Sequence, residues 1–230
     1  SRRRSGKTGT GMESAAMIPF TDAHTHCKAE SAGVLALRNL AYPLERTHSS
    51  GNVLFSAGIH PYDVLTRKFE PLKAYLLENR CSAVGECGLD RSIEIDFELQ
   101  KQCFLRQAEL AGELSLPLVL HCVRAYPEMI ALKKRFGSSV SWVIHGFRGR
   151  EQTARELLKH GFTLSLSSVW LRHIDKLYDC IIDSGFLLET DDGKEKIEEL
   201  YPLAACLAGM DAGELKERIY RKFTGIFHYE

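Results

Sequence analysis

Six side chains of metal-binding type stand at the ends of apolar runs in this sequence. The first two lie in Asp22-Ala23-His24-Thr25-His26. Residues two apart on a strand point to one face, so His24 and His26 can present two imidazoles to one point. Taken alone, that pair serves equally as one structural and one capping histidine. Glu86 follows Val84-Gly85, and His121 follows Leu118-Val119-Leu120. His145 follows Trp142-Val143-Ile144, and Asp191 closes the run Leu187-Leu188-Glu189-Thr190. A carboxylate ending a buried strand needs a charged partner, which a metal ion supplies. A lone strand-end histidine is more often a satisfied core residue; four of them with two carboxylates on one rim make a pattern for bound metal.

Bringing these groups together requires a repeated frame. Apolar runs suited to strands lie at 18–26, 34–40, 53–59, 81–86, 118–121, 140–145, 162–166 and 186–190. Helical patterns fill the later gaps, at 71–79, 96–114, 127–136, 149–160, 171–179 and 212–226. The clearest is 96–114, where Phe97, Phe104, Ala108, Ala111 and Leu114 share one face. Asp96 is its expected N-cap, and Pro117 prevents its continuation. Eight strands alternating with helices predict an α/β fold, a (β/α)8 TIM-type barrel with its site at the carboxyl ends of the strands. The barrel should be distorted. A parallel crossover usually takes about a dozen residues or more, yet only 27–33 separate the first two strands and 41–52 the next two. The first helix is therefore expected to be short or missing, and the second strand irregular.

Composition narrows the class without naming an activity. The 230 residues carry 30 Lys plus Arg and 30 Asp plus Glu, a net charge of zero. That balance argues against a polybasic DNA-coating protein and against an acidic tail. No apolar run approaches the roughly 18 residues of a membrane span, and no secretory signal is recognisable. Seven cysteines without a CxxC pair read as reduced thiols in a cytoplasmic compartment. Residues 1–16 lack any core-forming pattern and read as a disordered leader; residues 17–230 read as one barrel domain, expected to be a monomer.

Several segments together resemble the TatD-type metal-dependent hydrolases of the amidohydrolase-like barrels. They are DAHTH at 22–26, AGIHP at 57–61, AVGECGLD at 83–90 and QKQCFLRQAELA at 100–111, continuing with LPLVLHCVR at 116–124, IHGFRG at 144–149 and LLETDD at 187–192. The resemblance implies two divalent ions (Zn, Mn, Fe or Mg). His24, His26 and Asp191 would hold one, His121 and His145 the other, and Glu86 would bridge them. It also implies a deoxyribonuclease, often a 3′-to-5′ exonuclease. The chain departs from the family pattern at Asp192-Gly193, where a Pro is usual, at Lys222, where an Asn is usual, and in the short segment between strands one and three.

The residue types suit phosphodiester hydrolysis. Two metals about 3.5–4 Å apart activate water, neutralise phosphoryl oxygens and stabilise the leaving oxygen. Mixed nitrogen and oxygen donors favour Zn, Mn or Fe over Mg. Asp191 can offer one oxygen to metal and take the water's proton on the other, so Asp191 and Glu86 are the catalytic candidates. His60, in Gly58-Ile59-His60-Pro61, reads as a phosphate or leaving-group contact, against a role capping the Pro61 turn. Arg124 can fork onto a phosphate or pair with Glu128. Residues 124–159 carry a net charge of +5 and 179–200 a net of −6, and Arg148 and Arg150 follow His145 directly. This is a local basic lip rather than a duplex track, so the expected partner is a single-stranded or frayed DNA end. Trp170 and Tyr126 can stack on bases or pack inward; Cys87 and Cys122 should face away from the metals. Two other readings use the same residues: hydrolysis of a small amide, lactone or ester, and a non-catalytic metal-binding subunit.

Overall fold

Among the described residues, eight short strands run parallel and pair strictly in chain order. They are β1 (Phe20–Thr25), β2 (Val34–Asn39), β3 (Val53–Ala57), β4 (Ala83–Asp90), β5 (Leu118–Val123), β6 (Trp142–Ile144), β7 (Phe162–Leu166) and β8 (Leu187–Leu188). The computed structural model describes residues 18–28, 31–47, 51–137 and 140–229; the leader expected at 1–16 lies outside them. The sheet nearly closes on itself where Thr25 bridges Asp191. There the Asp191 N–H donates to the His24 carbonyl at 2.9 Å, and the His26 N–H donates to the Asp191 carbonyl at 3.2 Å. The expected (β/α)8 TIM-type barrel is the architecture found. Its later strands are covered on both faces, which is why β4 and β7 are buried along their whole length.

The helices are α1 (Leu72–Glu78), α2 (Phe97–Leu114), α3 (Tyr126–Phe136), α4 (Glu151–Lys159), α5 (Ser168–Leu171), α6 (Asp179–Ser184), α7 (Ile197–Ala208) and α8 (Ala212–Phe227). Asp96 caps α2 by accepting from the Leu99 N–H at 2.9 Å, as its position predicts. Among the described residues no helix lies between β1 and β2 or between β2 and β3. Return along the six residues of β1 covers roughly 20 Å. The eight residues 26–33 can reach about 26–29 Å when extended, so a bare link suffices.

Three local expectations are corrected. The second strand is regular, in unbroken register with β3 from Ala36 opposite Val53 to Asn39 opposite Ser56. The irregularities lie instead in β1, between Asp22 and Thr25, and in β4, between Val84 and Cys87. The fourth strand does not end at Glu86 but runs on to Asp90. Gly88 permits this: a Cβ there would sit 2.0 Å from the His121 carbonyl oxygen, so β4 and β5 approach more closely than any side chain allows. The helix expected at 171–179 is replaced by α5 and α6. The segment between them bonds outward, with the Leu177 N–H donating to the Leu207 carbonyl at 2.9 Å. Helix α7 went unread; Pro202 inside it removes one backbone donor, but buried Leu200, Tyr201, Ala204 and Ala205 hold it in place.

Candidate metal centre

Strands β1, β4 and β5 and the residues just after β1, β6 and β8 bring His24, His26, Glu86, His121, His145 and Asp191 together, with Glu86 at the centre. Glu86 Oε1 lies 2.6 Å from His145 Nε2, 2.9 Å from His121 Nδ1 and 3.2 Å from His60 Nε2. Its Oε2 addresses a different pair, at 3.4 Å from His24 Nε2 and 3.5 Å from His26 Nε2. Asp191 Oδ1 completes that second group, 3.6 Å from His24 Nε2 and 3.7 Å from His26 Nε2. One carboxylate thus turns its two oxygens toward two histidine groups.

Several donor triplets have all their ligand atoms within 4.8 Å of one another. They are His24–His26–Glu86, His24–His145–Asp191, His60–Glu86–His121 and His26–Asp191–Asp192. His60, expected as a substrate contact, therefore also stands within the donor set. The environment fits a cation. His24 is fully buried, yet neither ring nitrogen has a hydrogen-bond partner. An unsatisfied buried polar atom costs about 1–3 kcal/mol. An ion placed among imidazoles and carboxylates would remove that cost at Nε2, the nitrogen that faces Glu86 and Asp191.

The electrostatics point the same way. Burial by itself would raise the Glu86 carboxyl, but the charge of His145 and hydrogen bonds from His121 and His145 hold it well below the usual carboxylate range. His145 is largely buried; burial disfavours its charge, yet Glu86 and Glu189 on either side push it well above an ordinary imidazole. Contact with Glu86 also raises His26, against the opposing effect of burial. Without a metal, protons on His145 and His26 would offset part of the buried carboxylate charge. A divalent ion does that job with defined geometry and displaces protons as it binds.

A further ring of residues orients these groups, and none of it was evident in the sequence. Asp90 Oδ2 sits 2.8 Å from His121 Nε2, so His121 is bracketed by two carboxylates. Glu189 is fully buried, accepts the Gly146 N–H at 2.6 Å and approaches His145 Nδ1 at 3.5 Å. Asp22 accepts from the Thr190 N–H and hydroxyl at 3.0 and 2.6 Å, tying β1 to the residue before Asp191. Its burial pushes the carboxyl up to about 7 despite those bonds. Two glutamines of α2 clamp backbone. Gln107 accepts from the Ile59 N–H at 2.7 Å and donates to the Ile59 carbonyl at 3.0 Å. Gln100 does the same for Asp90, at 2.8 and 3.0 Å. Asn39 Oδ1 accepts the Glu86 N–H at 2.9 Å.

The centre opens into a cleft of about 960 Å³, lined in part by Lys28, Tyr62, Arg67, Arg124, Tyr126 and Arg148. Arg124 is exposed on this wall, and the expected alternative pairing with Glu128 is absent, because Glu128 pairs with Arg91. Arg124 has φ of +53° and precedes α3, so the four-residue spacing to Glu128 is not a helical one. Arg148 is exposed and lines the cleft, whereas Arg150 stands outside its lining as the residue before α4. Trp170 is core, edge-on to Phe147 at 5.4 Å and Tyr178 at 5.5 Å. Tyr126 is half-buried against Phe147 at 6.0 Å. Cys87 is fully buried with its Sγ toward the Val119 carbonyl, away from the ligands; Cys122 is buried but contributes to the cleft wall.

Among the described residues, no helix is long and apolar enough to cross a membrane. Solved structures share the fold. A TatD homolog from Escherichia coli K12 superposes with a TM-score of 0.77 at 21% identity, covering 92% of this chain and 98% of that one. A hydrolase of the TatD family from Entamoeba histolytica gives 0.70 at 15% identity, covering 90% and 97%. A 3′-5′ ssDNA/RNA exonuclease TatD of Cronobacter sakazakii is 36% identical over 148 residues, 59% of this chain and 56% of that protein. An uncharacterized metal-dependent hydrolase of Escherichia coli K12 is 28% identical over 204 residues, 78% and 75% of the two chains. The chain thus spans little more than half the length, 56%, of the exonuclease relative. The profile described as TatD related DNase matches residues 31–204. That stretch runs from the first link of the barrel into α7 and contains every strand from β2 to β8, so the chain belongs to the TatD related DNase family.

Proposed function

We propose that the protein hydrolyses phosphodiester bonds at single-stranded or frayed DNA ends, releasing nucleotides in the 3′-to-5′ direction. One observation carries this reading: the oxygens of Glu86 divide between two histidine groups on the floor of an open, arginine-lined cleft. His24, His26 and Asp191 would hold one divalent ion and His121 and His145 a second, with Glu86 shared and His60 beside the second group. Two ions so held would lower the pKa of water and offset charge on the phosphoryl oxygens.

The chain's own groups account for the rest. Asp191 turns Oδ1 to His24 and His26, leaving its other oxygen as the base for the attacking water's proton. The water oxygen bonds to phosphorus, the P–O3′ bond breaks, and the released O3′ takes up a proton. The terminal residue departs as a 5′-monophosphate. Arg124 and Arg148 hold the neighbouring phosphate, which a guanidinium matches with two parallel N–H bonds. Glu189 and Asp90 hold the His145 and His121 rings in place. The relatives described as exonucleases support the substrate class.

The test is nucleotide release from labelled oligonucleotides, single-stranded, duplex and RNA, with free, phosphorylated or phosphorothioate-blocked 3′ ends, in Mn, Zn or Mg. Release from free single-stranded ends and protection by the block are expected. Turnover of small esters or lactones with no cleavage of any oligonucleotide would overturn the reading.

A further inference from the structure

Among the described residues three tyrosines line the cleft, and one of them, Tyr62, is left open by packing. Tyr42 is buried and donates its hydroxyl to the Lys68 carbonyl at 2.6 Å. Tyr126 is half-buried against Phe147. Tyr62 is 56% exposed. Among the described residues its hydroxyl makes no hydrogen bond, and its ring neighbours are two imidazoles of the centre. His60 lies 4.6 Å away, tilted by 48°, and His121 lies 6.2 Å away. Its backbone is pinned: Pro61 opens the 3₁₀ turn Pro61–Asp63, the Tyr62 N–H donates to His60 Nδ1 at 3.1 Å, and the Asp63 N–H donates to the His60 carbonyl at 2.8 Å. An exposed ring on a fixed turn, one imidazole from Glu86, is a preorganised stacking surface beside the reaction centre.

We propose that Tyr62 is the nucleobase platform of the cleft, stacking on a base next to the scissile phosphodiester and so favouring unpaired ends, whose bases are free to stack. This rests on the phosphodiesterase reading above. Stacking is indifferent to base identity, because every base has a π-face. The site therefore distinguishes nucleotides from abasic residues rather than one base from another.

The test uses metal-loaded protein and single-stranded oligonucleotides in which each of the two nucleotides flanking the scissile bond is made abasic in turn. For the wild type, KM should rise roughly 5- to 150-fold with one of these abasic positions. Tyr62→Ala should lose that discrimination, whereas Tyr62→Phe and Tyr62→Trp should keep it. Undiminished discrimination in Tyr62→Ala would overturn the platform. Equal loss in Tyr62→Phe and Tyr62→Ala would overturn it too, since the hydroxyl rather than the ring would be at work. Absence of cleavage of every intact oligonucleotide by the wild type is a different failure, which removes the phosphodiesterase reading and the platform with it.

Discussion

Replacing Glu86 with Gln preserves shape and removes the one charge that both histidine groups share. Its Oε1 faces His60, His121 and His145, and its Oε2 faces His24 and His26. An ion that binds only the folded chain adds about 2.7 kcal/mol of stability at a hundred times its Kd. For a chain of this size that corresponds to roughly 5–11 °C in apparent Tm per ion. Two ions should therefore raise the wild type by roughly 10–20 °C. A hydrogen bond to a charged group contributes about 1.5–3 kcal/mol, and a buried carboxylate facing a cation is worth at least the upper end. Loss of Glu86 should thus weaken each ion by about two decades, and nearly all of the metal-dependent increment should vanish. Asp191→Asn acts mainly on the His24 and His26 group, which its Oδ1 approaches at 3.6 and 3.7 Å, and should lose one of the two increments. The assay is thermal unfolding of each variant in chelator and in Mn, each compared with itself so that metal-free differences cancel, alongside metal content by elemental analysis. A Glu86→Gln variant that retained the full wild-type increment would refute the shared-carboxylate geometry.

Gln107→Leu should cost about 2–5 kcal/mol in urea unfolding, because both the Ile59 N–H and carbonyl lose their partner in a buried setting; an unchanged midpoint would show that water replaces the clamp. Arg148→Ala, at an exposed cleft position, should raise KM for oligonucleotides about 3- to 10-fold with little change in kcat, and equal losses in both would mean that Arg148 acts on the transition state. Lys133 is buried against Trp142 and Phe162, and burial brings its ammonium from 10.5 down to about 8. The cost of charging it in the fold is fully present below the folded value and is relieved as pH climbs from there toward 10.5. Lys133→Met should therefore stabilise at pH 7 by about 1–3 kcal/mol, net of the lost cation–π contacts, and the gain should shrink toward pH 10; a gain independent of pH would assign it to packing alone.

What could be read directly from the sequence was local and periodic. The two-residue spacing of His24 and His26 already places both imidazoles on one face, whatever the strand pairs with. The apolar run before His145 likewise identifies a strand end at the barrel rim, whereas β5 runs on past His121 to Val123. The α2 pattern with its Asp96 cap was legible because every interaction it needs lies within a few residues. Strand register decided the remainder. Glu86 addresses both histidine groups from the shifted stretch between Val84 and Cys87, and β4 extends to Asp90 because Gly88 lets two backbones meet. Neither consequence follows from strand alternation. Arg124 and Glu128 stand at a helical spacing in the sequence, but Arg124 lies before the helix, and Glu128 meets Arg91 from a neighbouring strand end instead. Asp22, Asp90, Gln107 and Glu189 escaped notice for the same reason. Their partners Thr190, His121, Ile59 and His145 lie between 31 and 168 residues away. Period and capping determine which face a side chain takes, but only the stagger and closure of eight strands determine which faces meet.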